Sequence, residues 1–87
     1  MAVRAMVAVK DLALGGFLNP FFVPSVGIAV RHFGDECVKA DSPMCAHPED
    51  FELWHLGDFD ESGAFNIFAQ PVRLSRGVDY KESRNAS

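Results

Sequence analysis

The sequence predicts an α+β fold, a small and mainly antiparallel sheet of four to five strands with one helix packed on one face. Three observations carry that prediction. Val3, Ala5, Val7 and Val9 alternate with Arg4, Met6, Ala8 and Lys10, the period-two signature of a strand with one covered face. Val26, Ala29, Val30, Phe33 and Cys37 recur three or four apart, the spacing of a single apolar helical stripe. Two further apolar runs flank the turn-forming stretch Gly57–Gly63 and read as a hairpin.

Taken in order, Ala2–Lys10 is the first strand. Asp11–Gly16 ends in a glycine pair able to take positive φ, which turns the chain back through Phe17–Val23 as a second strand. Pro20 places that strand at an edge, because proline has no N–H to give a ladder. Pro24 and Ser25 then end the extended run and cap a helix over Val26–Lys39, with Arg31, His32, Asp35 and Glu36 off its apolar stripe. Gly27 and Gly34 each cost about 1 kcal/mol relative to Ala in a helix interior, so packing must hold this helix. Ala40–Asp50, with two prolines and no periodicity, reads as a loop. Phe51–Leu56 is a third strand and Ala64–Ala69 a fourth, with Phe65 and Ile67 on one side and Asn66 and Phe68 on the other. Val72, Leu74 and Val78 suggest a last short strand. The domain is expected over residues 1–79, followed by a polar tail over residues 80–87.

Composition limits the function classes. The 87 residues form one domain; 48% are hydrophobic and eight are Phe, which is enough to build a core and argues against a disordered chain. A domain this small buries a modest fraction of its surface, so self-association, most simply a homodimer, is expected. Eight Lys and Arg against 12 Asp and Glu give a formal charge of −4, which argues against a whole-surface DNA binder and leaves local basic patches open. The apolar run Phe17–Val30 is broken by prolines and polar residues and falls short of a membrane span, so no membrane partner is expected. The opening residues do not read as a signal peptide, and Cys37 and Cys45 read as free thiols in a reducing compartment.

Several patterns use chemistry-bearing residues, and each has a plainer reading. Asp58, Asp60 and Ser62 before Gly63 match the first half of a calcium loop, but Ala69 stands where the closing carboxylate belongs, and the flanks alternate as strands; a hairpin turn is the better reading. Cys37, Cys45, His47, His55 and His32 offer zinc-type atoms without a paired knuckle, so no metal and no cofactor is expected. Cys45 with His47, or Asp58 with His55, could share a face, but nothing in the chain marks an orienting group or an oxyanion site; no catalytic residue is assigned and an enzyme is not expected. Phe17, Phe21, Phe22, Trp54, Phe59, Phe65 and Phe68 are an aromatic surplus. For most of these the core or a subunit interface is the first reading. Aromatics on an open sheet face could instead stack on splayed bases. Phe51 and Leu53 can cover the helix side while Trp54 points away, so Trp54 and Phe68 are the candidates for stacking, with Arg4, Arg31 and Arg73 for phosphates.

Phe21-Phe22-Val23-Pro24-Ser25, then Arg31-x-Phe33-x-Asp35-x-x-Val38, then the run from His47-Pro48-Glu49-Asp50-Phe51-Glu52-Leu53-Trp54 to Ala64-Phe65 follow one another in an order that resembles the small nonstructural proteins of gokushoviruses. These are microviruses, tailless icosahedral bacteriophages with a single-stranded DNA genome. The likeness covers about residues 3–75 and is most specific from His47 to Phe65; Gly34 departs from it, standing where a small polar residue such as Ser is expected. It implies a phage accessory protein in the host bacterial cytoplasm, with or without association with the virion. Such a protein would act in single-stranded DNA synthesis or genome packaging by binding single-stranded DNA, the replication initiator, the procapsid, or a combination. The alternative is an interaction module that docks on capsid or host protein without nucleic acid.

Overall fold

The computed structural model describes residues 2–80 and has the α+β architecture the sequence predicts. Strand β1 (Val3–Asp11) is central, and every pairing in the sheet is antiparallel. On one side it meets β2 (Gly16–Phe17) and β3 (Phe21–Val23), and on the other β4 (Phe51–Asp60), which pairs in turn with β5 (Phe65–Arg76). Helix α1 (Val26–Val38) crosses one face. It begins where expected: Ser25 is extended and its Oγ accepts from the Ile28 N–H at 3.4 Å.

The core lies between α1 and the sheet. Val7, Val9 and Ala5 from β1, Val23 from β3 and Leu53 from β4 meet Ala29, Phe33 and Cys37 of α1, with Val26 and Val30 packed at the margin. Leu53 is 0% and Phe33 4% exposed, so the predicted stripe and its sheet partner are the ones buried. The turns also follow from sequence. Asp11 Oδ1 accepts from the N–H groups of Ala13 and Leu14 while Gly15 takes φ +86°, and Asp60 Oδ1 accepts from Ser62 N–H at 2.9 Å while Gly63 takes φ +96°.

Several boundaries differ from the sequence expectation. The second strand is not continuous over Phe17–Val23: residues 18–20, around Pro20, are not strand, although Leu18 N–H still donates to the Val9 carbonyl, and the run splits into β2 and β3. The third strand does not stop at Leu56 but runs to Asp60, because Gly57 packs in the β4–β5 ladder instead of opening a turn; a Cβ there would run into the Asn66 carbonyl oxygen. The fourth and last short strands are one, β5, with a register irregularity around Phe68–Pro71. The expected loop 40–50 holds a short helix α2 (Pro43–Ala46), capped by the buried Ser42, and a 3₁₀ turn over Pro48–Asp50.

Tyr80 is the largest correction. It does not begin a polar tail; it closes a 3₁₀ turn over Gly77–Tyr80 and sets its ring edge-on against Phe33, centroids 5.9 Å apart. Gly34, which costs the helix propensity, is what admits that ring: a Cβ at Gly34 would lie 2.7 Å from Tyr80 Cε1. The rest of the expected tail, residues 81–87, lies outside the described residues.

Candidate functional site

Side chains directly opposite one another in a ladder stand on the same face, so the register maps the side of the sheet that α1 leaves open. Lys10 is opposite Phe17 and Glu52; Ala8 is opposite Trp54, which is opposite Arg73; Met6 is opposite Phe22 and Gly57; Arg4 is opposite Phe59, which is opposite Phe65. The open face is therefore aromatic along its length. Its inner residues, Met6 and Ala8, are buried by the rings around them.

The aromatics form two groups. At the β2 end, Phe17 meets Trp54 edge-on at 6.0 Å, and Lys10 Nζ lies over both rings, 5.5 Å and 5.2 Å from their centroids. Glu52 holds this end in place: its Oε1 accepts from Trp54 Nε1 at 3.1 Å and its Oε2 from Arg73 Nη1 at 3.2 Å. At the other end Phe22, Phe59 and Phe65 cluster with centroids 4.9–6.3 Å apart, Arg4 standing beside them on β1. Phe65 is 58% and Ile67 61% exposed, values high for large apolar side chains beside one another.

The five residues assigned from sequence divide. Trp54, Arg73 and Arg4 share the open face: alternation sets Trp54 on β4 and Arg4 on β1 there, and the β4–β5 register brings Arg73 opposite Trp54. Arg31 does not join them; it is exposed on α1, across the sheet. Phe68 does not join Trp54 either. It sits in the irregular stretch of β5 and packs against the His55 ring at 4.6 Å, and His55 is opposite Val7 on the core side. Alternation along β5 sets Phe68 with Asn66, away from Phe65 and Ile67, and because Phe65 pairs with Phe59 on the open face, Phe68 falls on the core side. Lys10 and Phe22, which sequence reasoning left unassigned for binding, are on the face, and their positions in the β1 alternation and beside Pro24 were the available signals.

His55 Nε2 is 3.0 Å from Asp58 Oδ1, so this pair does meet, spanning the irregularity in β4. Cys45 is buried on α2, whereas His47 is exposed beside Glu49. Burial, reinforced by neighbouring Cys45, pushes the Cys37 thiol up to about 11. His47, Glu49 and Asp50 could bring ligand atoms within 4.8 Å of one another at the surface, a grouping that the zinc-type reading overlooked. A shallow apolar cleft of about 190 Å3 opens between α1 and β3, lined by Phe21, His32, Phe33, Glu36 and Met44 among others. Among the described residues no helix is long and apolar enough to cross a membrane.

Compared with known families, residues 4–80 match the sequence model of the family described as Phage ORF5 protein. The chain belongs to that family. The match spans β1 to the 3₁₀ turn that carries Tyr80, so the whole described fold is the family's unit. It makes this member a bacteriophage protein and agrees with the phage resemblance read from sequence. No curated protein and no solved structure matches the chain.

Proposed function

We propose that this Phage ORF5 family member is an accessory protein of a single-stranded DNA phage, of gokushovirus type, that acts in genome synthesis or packaging by holding single-stranded DNA on its open sheet face. The observation that carries the reading is the line of rings Phe17, Trp54, Phe22, Phe59 and Phe65, edged by Lys10, Arg73 and Arg4. Aromatic rings stack on any base and contribute about 1–3 kcal/mol each, while a few cations meet the backbone; that combination needs no basic protein as a whole. The net charge of −4 keeps the remaining surface from competing for the strand.

Trp54 is the single tryptophan, so its fluorescence reports on this face alone. Titration with oligothymidylate at low salt should quench it, and quenching should weaken as salt rises. Unchanged fluorescence together with no gel shift at low salt overturns the nucleic-acid reading. The second reading, docking on the replication initiator, the procapsid or a host protein, draws on the same exposed apolar side chains; recovery of the chain in fixed stoichiometry with purified virions would support it.

A further inference from the structure

The geometry points to a second copy of this chain pairing with the free edge of β5, through residues 64–68, to continue the sheet across a two-fold axis. Strand β5 is bonded to β4 on one side only, and its outer N–H and C=O groups have no ladder partner among the described residues. Natural edges are usually protected by charge, proline or irregularity, and β5 is protected over only part of its length. Pro71 and the irregularity guard its middle, and Arg73 and Arg76 guard its end. Ala64-Phe-Asn-Ile-Phe68 carries no charge and no proline.

That stretch is self-complementary. An antiparallel pairing centred on Asn66 sets Phe65 of each copy opposite Ile67 of the other, twice, on the open face. Aromatic with β-branched is a favourable cross-strand pair, and it covers the two side chains that are 58% and 61% exposed in one copy. Being uncharged, the stretch can meet itself without the repulsion that two chains of charge −4 would feel elsewhere. The opposite edge cannot propagate the sheet: β2 and β3 are two and three residues long and are interrupted around Pro20. The assembly therefore closes as a dimer instead of growing. The two open faces then form one surface, with the Phe22, Phe59 and Phe65 clusters side by side at its centre.

The test needs no nucleic acid, so its outcome is separate from that of the DNA reading. Asn66→Cys places two thiols on the axis, where paired Cα atoms about 4.5–5.5 Å apart fall within disulfide reach. Under glutathione oxidation at high micromolar protein, N66C should run as a cross-linked pair on a non-reducing gel, whereas Val72→Cys should not. Sedimentation should give wild type twice the mass of one chain, and Ile67→Lys, with an unchanged circular dichroism spectrum, the mass of one. A monomeric wild type, cross-linking of N66C no faster than of V72C, or a dimer that survives in folded I67K would each overturn the proposal.

Discussion

Replacing Gly34 by alanine tests how the end of the fold is built. Alanine favours the helix by about 1 kcal/mol relative to glycine, so an exposed position would gain stability. Here the added methyl would lie 2.7 Å, 3.1 Å and 3.3 Å from Cε1, Cδ1 and Cζ of Tyr80. Forcing a methyl into a filled site costs about 1–3 kcal/mol, because the ring must leave its edge-on seat against Phe33. The clash wins by about 1 kcal/mol, a fall of about 4–8 °C in Tm for a domain of this size. In a Tyr80→Ala background the obstacle is gone and the same substitution should stabilise, by about 1 kcal/mol, giving a coupling of about 2 kcal/mol between the two sites. Urea unfolding of the four proteins, followed by Trp54 fluorescence and circular dichroism, measures it. If Gly34→Ala stabilises both backgrounds equally, Tyr80 is not seated on the helix and its place in the core is wrong. A serine at position 34 would meet the same ring.

Other substitutions probe the sheet and its chemistry. Gly57→Ala should cost about 3 kcal/mol in urea unfolding, because the obstructing atoms belong to the Asn66 and Ile67 backbone and cannot rotate away. Arg73→Glu should weaken the quenching of Trp54 by oligothymidylate and flatten its salt dependence, whereas Arg31→Glu, on the helix side, should change neither; equal effects would separate binding from the open face. Burial first, then Cys45, raises Cys37 from 9.0 to about 11, so between those values the folded chain binds more protons than the unfolded one. That contribution to stability is complete below about pH 9 and is lost as pH rises toward about 11, and Cys37→Ser should remove this part of the alkaline decline.

Local pattern alone determined much of this protein. The alternation in β1, the stripe of α1, the Pro24-Ser25 junction and both glycine turns are set by backbone sterics, capping and side-chain period, which act over a few residues and can be read from them. The same alternation sets Trp54 and Leu53 on opposite faces, but that Phe17, Phe22, Phe59 and Phe65 join Trp54 across the sheet from the helix came only from the strand register. Only the tertiary structure decided the rest. Gly57 reads locally as a turn residue, but its lack of a side chain serves the close approach of Asn66, nine residues along the path of the hairpin. Which face Phe68 takes depends on how β5 pairs with β4: Phe65 opposite Phe59 and Ile67 opposite Gly57 put those two on the open face and Phe68 with His55 on the other, a pairing that no period within either strand encodes. Arg31 and Arg73 are alike as sequence, and the packing of α1 on one side alone separates them. Tyr80 stands among polar residues and reads as tail; it belongs to the core because a gap above Gly34, more than forty residues earlier, has the width of its ring.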